Sequence, residues 1–112
     1  LTAIRIPAKW AGAKFYFEKV ADRNTWDFAL VNIASAIIEK DGIIEDIRIS
    51  CGAVECVPKR LHVVEDIVRG SVANEETATL AASAASRGAA PLNYNHFKIP
   101  LMENLVKRAI RG

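Results

Sequence analysis

The 112-residue sequence has little of what marks the special classes of protein. Two cysteines are too few for a disulfide framework, and no apolar run approaches the roughly 18 to 20 residues that span a bilayer. The 15 basic and 13 acidic residues are spread along the chain, without a run of about five or six like charges. These shortages argue against a disulfide-rich secreted protein, a membrane protein, and a protein whose main partner is a nucleic acid.

The two cysteines, Cys51 and Cys56, fall in one apolar segment, so we expect both to be reduced core residues. A Cys-x4-Cys metal site would need further ligands, and His62 is the only nearby candidate, whereas structural zinc normally has four ligands. We therefore predict no metal site. The chain shows no signal segment at its start, and we expect a soluble, cytoplasmic protein. It begins with Leu1 rather than Met, which suggests a fragment or a processed chain.

The usual catalytic motifs are also missing. There is no phosphate-binding glycine pattern, no Gly-x-Ser-x-Gly and no His-Glu-x-x-His. His62 and His96 are isolated, and Cys51 lies among isoleucines, where neither a neighbouring base nor exposure is expected. Glu65 is interpreted as a solvated or capping carboxylate rather than a general base. No residue of this chain is predicted to be catalytic.

The length of the chain predicts a single domain, residues 1–112. Its composition, with 51% hydrophobic and 25% charged residues, is typical of globular domains. Strand patterns fill residues 1–56. Leu1 to Ile6 alternates up to Pro7 and is predicted to be an edge strand. The connector that follows carries Trp10, which is predicted to be a packing anchor. Ala13 to Val20 alternates again as a second strand.

Trp26 to Lys40 is an apolar run that favours a strand, although its many alanines leave a helix as the alternative. The next two residues decide between them. Asp41-Gly42 between two apolar runs is a strong signal for a two-residue β-hairpin. Ile43 to Cys56 is therefore predicted to pair antiparallel with the preceding strand.

Helical periodicity fills residues 59–111. Gly70 is the expected end of a first helix, Asn74 the N-cap of a second, Ala-rich helix, and His96 to Arg111 a third. Strands first and helices last predict an α+β domain, with an antiparallel sheet of three to four strands followed by three helices packed on one face. The second face of the sheet is predicted to carry Tyr16 and Val20 and to meet a partner.

Lys19 is the residue closest to chemistry. Alternation places it on the same face of its strand as Phe15 and Phe17. A lysine at a strand end often extends to water while its stem covers apolar surface. The alternative is that its ammonium is aimed at an anionic or electron-rich ligand lying against the two aromatic rings. The residues alone leave both interpretations open.

Several short motifs follow one another over nearly the whole chain and together resemble one family. They are Ile4-Arg5-Ile6-Pro7; Phe17-Glu18-Lys19-Val20 with Arg23; Asp41-Gly42 before Ile47-Arg48-Ile49 and Cys51-Gly52-Ala53-Val54; Pro58, Glu65 and Gly70; and Asn95-His96-Phe97-Lys98 before Leu105-Val106-Lys107-Arg108-Ala109. This succession resembles the C-terminal domain of the FAD-binding medium subunit of molybdenum hydroxylases, the group of carbon monoxide dehydrogenase, xanthine dehydrogenase and bacterial aldehyde oxidoreductase.

The resemblance implies the same sheet followed by three helices, and a role in an oxidoreductase. Electrons would pass from a molybdenum cofactor on a large subunit through 2Fe-2S clusters on a small subunit to FAD. Lys19 would lie near the pyrimidine end of the isoalloxazine ring, where positive charge favours the negative charge that develops on reduction. Arg23 is a second, lesser candidate for cofactor binding.

The glycine-rich loops that bind the FAD pyrophosphate in this family are missing from the sequence. The resemblance therefore implies that another domain of the same subunit supplies them. We expect the isolated chain to be inactive and not to retain FAD. A second hypothesis is a stand-alone, non-catalytic interaction or assembly module that has this fold and no cofactor.

Overall fold

The computed structural model describes residues 1–112 and contains four strands followed by three helices. The strands form one antiparallel sheet in the order β1-β2-β3-β4. This is the α+β arrangement predicted from the sequence. No helix has the length and apolar character needed to cross a membrane. The elements are β1 (Lys14–Val20), β2 (Val31–Lys40), β3 (Ile43–Gly52), β4 (Lys59–Arg60), α1 (His62–Val68), α2 (Glu75–Ala85) and α3 (Lys98–Arg111).

The β2–β3 hairpin forms the centre of the sheet. Its turn residues have positive φ, 53° for Asp41 and 78° for Gly42, as a two-residue type I′ turn requires. The strand prediction is therefore confirmed over the helical alternative for this part of the chain. The strands are shorter than predicted, because β2 begins at Val31 rather than Trp26 and β3 ends at Gly52 rather than Cys56.

The hydrophobic core lies between the sheet and the three helices. Alternate residues of β2 and β3, among them Ile33, Ile47 and Ile49, are buried on the side of the helices. Each such side chain contributes about 1.5 to 3 kcal/mol when it is fully buried. Their burial therefore holds the helices on this face. The helical part of the core comprises Leu61, Val64, Val68, Ala78, Ala81, Ala84, Ala85, Met102, Leu105, Val106, Ala109 and Ile110.

The end of α1 and the start of α2 agree with the sequence signals, whereas α3 begins at Lys98 rather than at His96. Asn74 caps α2, because its side-chain oxygen accepts the backbone N–H of Thr77 at 2.9 Å. Gly70, just beyond α1, has φ 82° and ends that helix in the left-handed conformation. Pro100 is the third residue of α3, within the first turn, where the backbone N–H has no intrahelical acceptor. Its missing donor therefore removes no helical hydrogen bond.

The predicted strand from Leu1 to Ile6 is wrong. These residues belong to no strand or helix, and the side chains of Leu1, Ile4 and Ile6 are exposed. The fourth strand is β4 instead, which lies beyond residue 56 and pairs with the end of β3. Alternation shows that a segment is able to form a strand, but it does not show where a partner strand lies.

The two edges of the sheet differ in their free backbone groups. No strand pairs with the outer side of β1. On the outer side of β3, by contrast, backbone groups are bonded by neighbouring segments and side chains. Ile44 bonds to Gly70 and Ser71, Ile47 to the side chains of Asp46 and Arg48, and Ile49 to Leu61 and the Glu65 carboxylate. The sheet is therefore closed along β3 and open along β1.

Candidate functional site on the open sheet face

The face of the sheet turned away from the helices, here termed the open face, carries two exposed aromatic rings and a lysine. β1 places Phe15, Phe17 and Lys19 there, and the phenylalanines are 64% and 67% exposed. The prediction that Lys19 shares a face with two aromatics is confirmed. Adjacent exposed phenylalanines form an apolar surface of the kind that binds a planar or apolar group. The open face also carries Asn32, Ala34, Ala36, Arg48, Ser50 and Gly52 in the paired strands.

The prediction that Tyr16 and Val20 lie on this face is wrong. Both pack against the core on the side of the helices. The Tyr16 hydroxyl donates to Glu18, and Glu18 accepts from Arg108 of α3 at 2.5 Å. Burial and the contact with Glu18 raise the pKa of Tyr16. Alternation separates the two faces of β1 but does not tell which one is covered, because each carries aromatic and charged residues.

Small side chains of β2 and β3 leave a shallow groove of about 380 Å³ across the open face. Phe15 stands on one side, and Arg48 and Arg60 stand on the other. Both arginines are paired with carboxylates, Arg48 with Asp46 and Arg60 with Glu65. The groove therefore combines an aromatic wall with partly compensated positive charge, because the Asp46 carboxylate is shared by Arg48, Lys9 and Arg69. Its lining consists of Phe15, Ala34, Ser35, Ala36, Arg48, Ile49, Ser50 and Arg60.

Asp27 brings together the two residues predicted to bind a cofactor. The Lys19 ammonium donates to the Asp27 carbonyl oxygen, and the Asp27 carboxylate accepts from Arg23 Nε at 2.8 Å and Nη2 at 2.7 Å. This bidentate pair raises the pKa of Arg23 and lowers the pKa of Asp27. The charge of Arg23 is thus matched by a carboxylate. Lys19 donates to a neutral carbonyl and forms no ion pair, although its charge contributes to the lowered pKa of Asp27.

Lys19 stands at the end of a row that crosses three strands. Its partner in β2 is Asn32, and the partner of Asn32 in β3 is Gly52. The Asn32 side chain lies against Gly52, because a Cβ at residue 52 would come within 2.9 Å of the Asn32 Nδ2 and closer still to Oδ1. A side chain at residue 52 would therefore displace the carboxamide. The row places the Lys19 ammonium and the Asn32 carboxamide beside Phe15 and Phe17, here termed the aromatic strip.

The N-terminal connector covers the opposite end of the open face. Trp10 closes a 3-10 turn (Ala8–Trp10) and is 8% exposed. Its ring centre lies 5.3 Å from the Arg48 guanidinium carbon and 5.2 Å from Lys9 Nζ, within the range of cation–π attraction. Asp46 accepts from Lys9 at 2.9 Å and from Arg48 at 2.7 Å. Trp10 is therefore a packing anchor, as predicted, and Lys19 remains exposed.

Sequence reasoning missed a buried carboxylate. Glu65 is 2% exposed, and it accepts from Arg60 Nε and Nη2 at 2.8 Å each and from the Ile49 N–H at 3.1 Å. Burial alone would raise the pKa of Glu65, but the hydrogen bonds from Arg60 and Ile49 and the charges of Arg60 and Arg48 outweigh burial and lower it. The interpretation of Glu65 as a solvated or capping residue is wrong.

The periodicity of α1 could have located this carboxylate. Leu61, Val64 and Val68 define the buried stripe, and Glu65 follows Leu61 by four residues, so it belongs to the same stripe. An acidic residue at such a position needs a partner. Arg60, just before the helix, supplies it. The pair joins α1 to β4, and the hydrogen bond from the Ile49 N–H joins Glu65 to β3.

The two cysteines lie in different environments. Cys51 is buried and Cys56 is exposed, so the prediction that both are core residues is wrong for Cys56. The reason is that β3 ends at Gly52, and the segment with Cys56 has left the sheet. Burial raises the pKa of Cys51 to about 11. No cluster of three or more His, Cys, Asp or Glu side chains is placed to hold a metal ion.

Comparison with known proteins identifies a family that matches most of this chain. The CO dehydrogenase flavoprotein C-terminal domain family matches residues 16–112. A search of curated proteins gave no match.

Solved structures agree in fold. Quinoline 2-oxidoreductase from Pseudomonas putida 86 superposes with a TM-score of 0.82 at 30% identity, over 96% of this chain and 37% of that chain. The carbon monoxide dehydrogenase of Hydrogenophaga pseudoflava gives 0.81 at 26% identity, over 89% of this chain and 36% of that one. Reconstituted CO dehydrogenase from Oligotropha carboxidovorans gives 0.82 at 16%, over 96% and 38%, a likeness of fold alone. The chain spans little more than a third of the length of these proteins.

Proposed function

This chain belongs to the CO dehydrogenase flavoprotein C-terminal domain family, and we therefore propose that it works within the FAD-binding subunit of a molybdenum hydroxylase. In this role it is part of an oxidoreductase and not an enzyme by itself. Its open face closes one side of the flavin site, while another domain of the same subunit binds the FAD phosphates.

The observation that carries this proposal is the exposed row of Phe15, Phe17 and Lys19 on one face of β1. Aromatic rings stack on a planar ring system. An ammonium next to its pyrimidine end stabilises negative charge on the ring. The second predicted cofactor-binding residue, Arg23, donates two hydrogen bonds to the Asp27 carboxylate. We propose that Arg23 supports the loop that carries the Lys19 acceptor and adds to the cofactor site through that loop.

When FAD is bound, it supplies the chemistry of accepting electrons and passing them to an external acceptor. The residues of this chain orient the ring and adjust the charge around it. Lys19 keeps its ammonium on the Asp27 carbonyl and so at a fixed place relative to the aromatic strip. The phenylalanines also exclude water from the ring face that they cover, which strengthens the effect of that charge.

The proposed partners follow from the same role. They are the FAD domain of the same subunit, the large subunit that holds the molybdenum cofactor, and the small subunit that holds the 2Fe-2S clusters. Trp26 and Phe28, fully or almost fully exposed in the loop before β2, support an interface in this region, because large apolar side chains are seldom left in water together. We propose a cytoplasmic complex.

The test is Lys19→Gln in the complete FAD-binding subunit that carries this domain. Loss of the ammonium charge removes stabilisation of the reduced flavin on the order of 2 kcal/mol at an effective dielectric constant of about 20. For a two-electron couple this lowers the midpoint potential by about 40 mV. FAD should also dissociate more readily. Potentiometry with FAD titration measures both quantities.

Lys14→Gln is the matched control, because Lys14 lies on the same strand but on its other face. It should leave the potential and the affinity at their wild-type values. If the Lys19 and Lys14 variants both behave as wild type, the assignment of the flavin site to this face is wrong. A subunit that binds no FAD at all would favour the assembly module without a cofactor.

A further inference from the structure

Asn32 occupies an unusual position on the open face. It lies between Lys19 and Gly52 in the row that crosses the sheet, and it is only partly buried. The absence of a side chain at Gly52 leaves the space in which the carboxamide lies. Any other residue at 52 would displace it. The local sequence therefore holds this amide close to the sheet beside the ammonium.

The carboxamide of Asn32 has no hydrogen-bond partner in this chain. A side-chain amide offers two N–H donors and a carbonyl acceptor. A partly buried amide without a partner has free hydrogen-bonding capacity that a ligand can use.

The backbone next to Gly52 is also unusual. Ala53 has φ 62°, a left-handed conformation that is uncommon for a residue with a side chain. Its carbonyl accepts from Lys98 of α3 at 2.8 Å, which holds the turn in place. The strand that faces Asn32 therefore ends in a fixed, strained turn. Strain of this kind is often found at ligand sites.

We propose that the Asn32 carboxamide binds the imide edge of the flavin ring, next to Lys19. The inference rests on the proposed function and deepens it. The imide edge presents an N–H donor between two carbonyl acceptors, and a carboxamide pairs with such an edge through its own carbonyl and N–H groups. Lys19 supplies only donors, so it cannot bind the imide N–H. Asn32 supplies the missing acceptor.

The test uses FAD and its N3-methyl analogue, in which the imide N–H is replaced, with the complete FAD-binding subunit. The wild-type subunit should bind the analogue about five- to tenfold more weakly than FAD, the loss expected for one hydrogen bond. Asn32→Leu, similar in size but without hydrogen-bonding groups, should bind FAD more weakly by about the same factor. It should no longer distinguish the two flavins. Titration by flavin fluorescence gives both dissociation constants.

Asn32→Ser keeps a small polar side chain and provides a second variant if the leucine variant does not fold. It should also lose discrimination, because the hydroxyl is too short to reach where the carboxamide reaches. Equal binding of FAD and its N3-methyl analogue by the wild-type subunit would overturn the inference. A discrimination that persists unchanged in the asparagine variants would overturn it as well.

The outcomes that would overturn the role of Asn32 differ from those that would overturn the proposed function. If Lys19→Gln shifts the flavin potential while the Asn32 variants bind both flavins as the wild type does, the flavin site stands and Asn32 is a spacer above Gly52. If neither residue affects the flavin, the site lies on another surface.

Discussion

The Arg60 guanidinium reaches the buried Glu65 carboxylate with two parallel hydrogen bonds of 2.8 Å each. The pair joins β4 to α1. The arginine is partly open to water, whereas the carboxylate is 2% exposed. Removing Arg60 should therefore lower the free energy of unfolding more than removing the Glu65 charge. An unpaired carboxylate stays buried, whereas an unpaired guanidinium is solvated.

Arg60→Ala should lower the free energy of unfolding by about 3 kcal/mol, the lower end of the range for breaking a buried pair, because Arg48 lies 3.9 Å from Glu65 and compensates in part. Glu65→Gln should cost about 1 to 3 kcal/mol, since it weakens the bonds to Arg60 and Ile49. Chemical denaturation measures both changes. The matched control is Asp66→Asn, a change on the exposed side of the same helix, which should stay within about 0.5 kcal/mol.

Acid should destabilise the fold through Asp46 and Glu65. Burial would raise the pKa of Asp46, but hydrogen bonds from Lys9 and the Ile47 N–H and the charge of Arg48 lower it to about 2. The pKa of the Glu65 carboxyl is also lowered. A carboxyl with a lowered pKa in the folded state binds protons more tightly when unfolded. Its contribution is therefore complete above the unfolded pKa of about 4 and is lost as the pH falls through the folded pKa.

The free energy of unfolding should thus fall between about pH 5 and pH 2. Asp46→Asn should reduce the slope in this range, and Asp46→Asn with Glu65→Gln should reduce it further. Denaturation at a series of pH values gives the slope. A slope unchanged in the double variant would show that other groups govern acid unfolding.

Gly52 and Asn32 should be coupled in stability. Gly52→Ala alone should cost about 1 kcal/mol, because the new Cβ would displace the Asn32 carboxamide. In an Asn32→Ala background the obstacle is gone, and the same change should cost less than about 0.5 kcal/mol. Chemical denaturation of the wild type, the two single variants and the double variant measures the coupling as a double-mutant cycle. Equal costs in the two backgrounds would show that the side chains do not meet.

The two cysteines should differ in reactivity with a thiol reagent. Cys56 is exposed and should react in the folded protein, whereas Cys51 is buried with its pKa raised to about 11 and should react only after unfolding. Cys56→Ser should leave a protein that is unreactive until denaturant is added. Rapid labelling of Cys51 in that folded variant would contradict its burial.

Local patterns predicted the elements that depend on local physics. The Asp41-Gly42 turn needs two positive φ values, and its residues specify them. The Asn74 cap is satisfied within one turn of helix. The order of strands and helices, and so the α+β class, followed from periodicity.

The failures concern relations between distant segments. Leu1 to Ile6 has a strand pattern but finds no partner here. The covered face of β1 was wrongly identified because the Tyr16 contact to Glu18, and through it to Arg108 on α3, is not encoded in the alternation of β1. Glu65 was misread because its partner network, Arg60 and Ile49, forms only when α1 packs on the sheet. Of the candidate site, the shared face of Lys19 was predictable, but its row with Asn32 and Gly52 depends on the strand register.

The closed edge of the sheet limits how copies of this domain could associate. Along β3 the backbone groups are already taken by Glu65, Asp46, Arg48 and the segment around Gly70. The other edge strand, β4, has only two residues, so β1 is the only long strand with a free edge, and a contact made through strand pairing uses it up on each copy. Such pairing stops at two molecules and cannot continue into an open-ended stack of sheets, as it could if both edges were free.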